Sequence, residues 1–185
     1  MTYYGPKELA ASFRTVRHNT IQIAEEIPET HYGYRVASEC RSVAETLAHI
    51  AVAARLQEQV HIVERRSTLL GFDFFGFVEK QIAEEKTSRS KAQVLDLLRA
   101  EGEKFARILE GFPEDLLAER VEYPQGMVPP SKSRFEMLLS VKEHEMHHRG
   151  QLMVVERMLG ITPHLTRHMQ ERAAAMKAAG AAVSR

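Results

Sequence analysis

Four stretches of this chain carry apolar residues at alternating steps of three and four, the spacing that lines one face of an α-helix. Across residues 6–27 the stripe is Leu9, Phe13, Val16, Thr20, Ile23 and Ile27. Across 43–66, Val43, Leu47, Ile50 and Ala54 make one row, with His49, Ala53, Leu56 and Val60 beside it. Across 91–112, Val94, Leu98, Phe105 and Ile108 share a face that Glu101 interrupts. Across 134–159 the steps run Met137, Val141, His144, His148, Leu152, Val155 and Leu159. A helix with one apolar face has to bury it, and four such helices can bury theirs against one another. The expected fold is therefore all-α, a four-helix bundle.

Local signals set the ends. Ser42 with Glu45, Ser90 with Gln93 and Ser133 with Glu136 each read as a capping box, S-x-x-E/Q. Pro6 suits a first helical turn, Pro28 a stop, and Gly160 a left-handed C-terminal residue. Thr162-Pro163 predicts a shorter fifth helix ending near residue 178, followed by a frayed Ala-rich tail. Residues 71–88 hold Phe72, Phe74, Phe75 and Phe77, read as a loop and short helix closing the bundle end, or as the wall of a ligand pocket. Residues 121–133 have the Pro and Gly of a loop. No β-rich run or repeat appears, and one domain is expected over residues 1–185.

The totals exclude several classes. Lys+Arg and Asp+Glu number 25 each, so no broad basic field exists for nucleic acid or an anionic membrane. Cys40 is the only cysteine, which rules out an intrachain disulfide and fits a reducing cytoplasm. No apolar run reaches the ~18 residues of a membrane span, and the first residues show no signal-peptide core. The expectation is a cytoplasmic protein without nucleic-acid or membrane partners.

The chemistry concentrates in KEHEMHHRGQL, residues 142–152. His144 and His148 lie one turn apart on the apolar stripe, so both point into the bundle. Two imidazoles so placed can grip one metal ion, or they can be hydrogen-bonded core residues. His147 falls on the shoulder beside Val154 and Met158, and Lys142, Arg149 and Glu156 fall on the polar side. His49, on the inner arc of the second helix with the small Ala53 one turn on, is a candidate third ligand. His18, His31, His164 and His168 are read as surface or structural, and His61 lies a turn or more beyond His49.

Two other metal readings fit less well. His144-Glu145-Met146-His147-His148 satisfies H-E-x-x-H, but a zinc peptidase also needs a strand edge for its substrate. The longer metzincin form fails too, with Gly150 one residue early and Val154 where histidine belongs. A di-iron carboxylate bundle would use Glu58-x-x-His61 and Glu145-x-x-His148, but Glu145 is off the stripe and only Glu101 lies on one.

SVAETLAHI (42–50), HYGYRV (31–36) and H-x-x-x-H-x-G-Q (His144, His148, Gly150, Gln151) together resemble the DinB-like family of bacterial four-helix-bundle metalloproteins. The resemblance runs from the first helix through the fourth. It implies an up-down-down-up bundle with a short additional C-terminal helix, and a divalent metal (zinc, nickel or iron) held by His49, His144 and His148. It also implies open positions on that metal, and transfer of a low-molecular-weight thiol such as bacillithiol, mycothiol or glutathione to an electrophile. Gln151 is a candidate hydrogen-bonding support for a ligand, or a solvent-edge residue. His147 departs from the pattern and leaves a His144/His147 pair open, although the stripe favours His148. The resemblance implies a homodimer as well, with Leu165, Met169 and Met176 of the fifth helix available for the contact. A non-catalytic metal-binding bundle is the alternative.

Overall fold

Capping boxes open three of the four frame helices, each with the serine hydroxyl accepting from the backbone and the third-residue side chain reaching back. Ser42 Oγ accepts from Glu45 N at 3.2 Å, and Glu45 Oε2 accepts from Ser42 N at 2.7 Å. The same pattern starts the helices after Ser90 and Ser133. The computed structural model describes residues 4–183, with side chains to residue 179. Its elements are α1 (Pro6–Glu26), α2 (Val43–Val52), α3 (Arg55–Glu58), α4 (Phe74–Glu85), α5 (Lys91–Glu110), α6 (Arg134–Met158) and α7 (His164–Val183). Strands β1 (Arg120–Glu122) and β2 (Ser131–Ser133) pair antiparallel ahead of α6. The segment expected to be plain loop is therefore a small hairpin, with Val121 buried beneath it. No described helix is long and apolar enough to cross a membrane.

Two apolar clusters define the bundle and fix its direction. One joins Ile23 and Ile27 near the end of α1, Val43 and Leu47 near the start of α2, Val94 and Leu98 near the start of α5, and Leu152 and Val155 late in α6. The other joins Leu9 and Phe13, Ala54, Phe105 and Leu109, and Leu138 and Val141, which are the opposite ends of the same helices. Thus α1 runs up, the α2–α3 arm and α5 run down, and α6 runs up. Each fully buried aliphatic or aromatic side chain contributes about 1.5–3 kcal/mol by leaving water. Because the α2 arm and α5 are parallel, the chain between them must travel back along the bundle, and α4 lies on that crossover.

A polar layer separates the two clusters. The Arg17 guanidinium meets Glu145 through Nε at 3.0 and 3.1 Å and Nη2 at 2.9 Å. It also donates to Leu98 O at 2.7 Å and Ile50 O at 3.2 Å. Glu145 was expected off the core stripe, yet it is 1% exposed. Position 145 lies four residues past Val141 and seven before Leu152, so it shares the buried face, and Arg17 supplies the countercharge. Gly102 makes room for this layer, since a Cβ there would stand 2.8 Å from Arg17 Cγ. Glu156, also expected on the polar side, is fully buried.

The second frame segment is not the continuous helix expected to residue 66. It breaks after Val52, and side chains take the carbonyls at the break: Arg17 bonds Ile50 O, and Gln81 Nε2 donates to Val52 O at 2.9 Å. It resumes as α3 and ends in a π turn, Gln59–Val63, whose extra residue carries His61 inward. Arg134 donates to His61 Nδ1 at 2.9 Å, so Nε2 carries the proton and donates to Gln57 Oε1 at 3.0 Å. Burial, then the adjacent Arg134, pushes the His61 pKa down to about 4.

The fifth helix, α7, is longer than its expected end near 178 and continues to Val183; the last two residues of the expected frayed tail lie outside the described residues. His164 at its start is fully buried, a structural position, while Met169 and Met176 are exposed.

Candidate metal centre

Beside the Arg17–Glu145 layer, α2 and α6 bring three imidazoles together. His49 Nε2 lies 2.9 Å from His144 Nε2, which lies 3.1 Å from His148 Nε2. The helical step of four places His144 and His148 on one face of α6. The antiparallel pairing of α2 with α6 brings His49 level with them, an offset that the sequence could not supply.

The outer nitrogens settle which atoms face inward. His49 Nδ1 is 2.5 Å from Glu85 Oε1, and a carboxylate can only accept, so His49 carries its proton on Nδ1 and keeps a lone pair on Nε2. His148 Nδ1 is 2.8 Å from Gln151 Oε1 and is assigned the same tautomer. Two lone pairs therefore converge on His144 Nε2. The remaining His144 nitrogen, Nδ1, is buried without a hydrogen-bond partner among the described residues. One proton cannot satisfy that arrangement. A cation can: two nitrogens about 2.0–2.1 Å from one ion lie about 2.8–3.4 Å apart at bond angles near 90–110°. The residues present fit a metal ion.

The electrostatics agree. Burial, then the neighbouring His148, His49 and His147, pushes the His144 pKa down to about 4. Burial lowers His148 as well, against the opposing pull of Gln151. Both rings are neutral near pH 7, as ligation requires. Burial works against the Glu85 carboxylate, but His49 and Arg41 together hold its pKa below the ordinary range. Arg41 Nε donates to Glu85 Oε2 at 2.8 Å.

A cavity of about 750 Å³ opens onto His148 and Gln151, with Tyr34, Cys40, Arg41 and Glu85 among its other lining residues. Its apolar wall includes Val43, Leu152 and Val155. The structure brings the three candidates His49, His144 and His148 together and sets Gln151 against His148. His147 stays outside the cluster and accepts from Gln151 Nε2 at 3.1 Å. His18, His31, His61, His164 and His168 do not join it. Glu85 and Arg41 were missed. The phenylalanine-rich segment contributes to the site through Glu85 and Ile82, at the far end of α4 from its aromatic rings.

An up-down-down-up helical bundle with three convergent imidazoles between two of its helices, one of which, His148, lines a side cavity, defines a small all-α protein with a candidate divalent-metal centre. The chain belongs to the DinB family, whose model matches residues 1–180. It is similar to the uncharacterized protein YjoA of Bacillus subtilis, 26% identical over 155 residues, covering 84% of this chain and 91% of YjoA. The crystal structure of that DinB-like protein superposes with a TM-score of 0.62 at 24% identity, covering 84% of this chain and 93% of YjoA. YfiT from Bacillus subtilis, a probable metal-dependent hydrolase with an unusual four-helix bundle topology, superposes with a TM-score of 0.66 at 13% identity, covering 88% of this chain and 91% of YfiT. These two likenesses establish the fold.

Proposed function

We propose that this protein is a metal-dependent enzyme that transfers a low-molecular-weight thiol to an electrophile, with His49, His144 and His148 holding zinc, nickel or iron. The observation that supports it is three Nε2 atoms converging beside a cavity large enough for a small molecule. Among the described residues no carboxylate or thiolate joins the three histidines. A site that only stabilised the bundle would be closed by a fourth protein ligand. A divalent ion there would bind a thiol through sulfur and favour its thiolate, the nucleophilic form.

The chain's own residues supply the rest. Glu85 and Gln151 hold the outer rings in the tautomers that keep Nε2 free. Val43, Leu152 and Val155 give the cavity an apolar wall for the carbon skeleton of a bound small molecule. Arg35 and Arg41 line the same cavity and offer cations to a thiol that carries carboxylates. The thiolate sulfur forms a bond to an electrophilic carbon, the leaving group departs with its electron pair, and the thiol proton passes to solvent.

The test is a steady-state assay with 1-chloro-2,4-dinitrobenzene and glutathione, bacillithiol or mycothiol, scored by chloride release. Metal-loaded protein should exceed His144→Ala with at least one thiol. Ester cleavage that needs no thiol, without thiol transfer, would instead make water the nucleophile.

A further inference from the structure

The only buried residue of α4 is a carboxylate. Of its twelve residues, Glu85 alone is buried, while Phe75 is 81% exposed and Phe74 45%. Phe77, Val78 and Gln81 are half-buried. The frame helices each bury several apolar side chains, and α4 does not. Its polar anchors are Glu85, bonded to His49 and Arg41, and Gln81, bonded to the carbonyl of Val52 at the break after α2.

We infer that Glu85 is the positioning residue for His49, and that through this bond metal loading and the docking of α4 are linked. An imidazole has two neutral tautomers. With a cation on Nε2, His49 must carry its proton on Nδ1, where it faces Glu85 Oε1. Without a cation, the proton can move to Nε2, and the Nδ1 lone pair then faces a carboxylate that is 5% exposed. That contact is repulsive, and Glu85 keeps only Arg41. The cation therefore selects the tautomer that seats α4. By linkage, a seated α4 favours the cation by the same factor. The consequence reaches the cavity, because Ile82, Glu85 and Lys86 of this segment form part of its wall. Loading the metal builds that wall.

The inference rests on the three-histidine metal reading and is independent of thiol transfer. Its test uses zinc(II) as the probe, with affinity measured by chelator competition and backbone amide exchange followed in residues 74–85. In wild type, zinc should slow exchange in α4 about tenfold or more beyond the general slowing that native-state binding gives α1 and α5, which carry no ligand. Glu85→Gln preserves shape and one acceptor, and should weaken zinc binding about 10-fold; Glu85→Ala should weaken it by up to about 100-fold, the range usual for supports of metal-bound histidines. In Glu85→Ala, zinc should no longer slow exchange in α4 beyond that general slowing. Affinity within about twofold of wild type in both variants would overturn the inference. So would equal zinc-induced protection of α4 in Glu85→Ala, with thermal unfolding of Glu85→Gln confirming that the fold is intact. Failure of wild type to bind zinc would overturn the metal reading itself, whereas absent thiol turnover in protein that binds zinc would leave this inference standing.

Discussion

Arg17 and Glu145, 128 positions apart, face each other across the bundle centre at 2.9–3.1 Å, with side chains 4% and 1% exposed. Arg17 also reaches the carbonyl of Ile50, next to His49, and Glu145 follows His144. The pair thus fixes the backbone beside two of the three histidines. Removing one partner strands the other charge in a dry layer. Glu145→Ala should cost about 3–5 kcal/mol of unfolding free energy, read by urea titration. The double variant Arg17→Met/Glu145→Leu should recover much of that loss, because it buries no unpaired charge. A single variant as stable as wild type would show that water reaches the layer.

Elemental analysis of purified variants tests the ligand set. His49→Ala, His144→Ala and His148→Ala should each lose most of the bound metal. His147→Ala should keep it, because that ring lies outside the cluster, its Nε2 bonded to Gln151 and its edge packed on the His148 ring. A His147→Ala protein stripped of metal, beside a loaded His148→Ala, would reverse the assignment.

Stability should fall as pH rises from about 4.5 to about 7, because of Glu156. Its carboxylate is fully buried, and neither oxygen has a hydrogen-bond partner among the described residues. Burial, then the neighbouring Glu26, raises its pKa to about 7, against Arg167 and Arg157. A raised folded pKa means that folding favours the protonated acid. That contribution is complete below the unfolded value of 4.5 and is lost as pH climbs through about 7. Glu156→Gln, neutral at every pH, should match wild type near pH 4 and exceed it by about 1–3 kcal/mol at pH 8. Parallel stability curves for the two proteins would count against a buried, titrating Glu156.

Direct sulfur ligation is checked by spectroscopy. Cobalt(II)-substituted protein titrated with glutathione, bacillithiol or mycothiol should develop sulfur-to-metal charge-transfer absorption in the near ultraviolet. His144→Ala should show none. Fully loaded wild type that stays silent with every thiol would remove thiol transfer from contention.

The four frame helices were legible because apolar side chains recur at helical spacing wherever a face is buried against another helix. The same reasoning misplaced Glu145 and Glu156. Their positions fall within a helical turn of the buried face, but their charge argued for solvent, and the neighbour that buries Glu145 is an arginine 128 residues away. His144 and His148 were readable from their own spacing. His49 was nominated by its place on an inner arc, but its level against α6 depends on the offset between helices. Glu85 gave no signal at all: it sits in the charged run Glu84-Glu85-Lys86, on a helix without a strong apolar stripe. Its role comes from where the crossover lands.

The parallel course of the α2 arm and α5 obliges the chain to return along the bundle before α5 can begin. A fully extended strand would cover the ~30 Å length of a twenty-residue helix in about nine residues. The segment from 64 to 90 is far longer than that minimum, and its surplus forms one side of the cavity beside the histidines. Geometry sets only a minimum length there, and the residues with fixed tasks are few, Glu85 against His49 and Gln81 against the Val52 carbonyl chief among them. Substitutions, insertions or grafted segments elsewhere in this return path can reshape what the metal centre meets without asking the four frame helices to repack. Diversification of such a protein toward new small molecules therefore has an obvious place to occur, next to the reactive atoms and outside the part of the sequence that folding holds fixed.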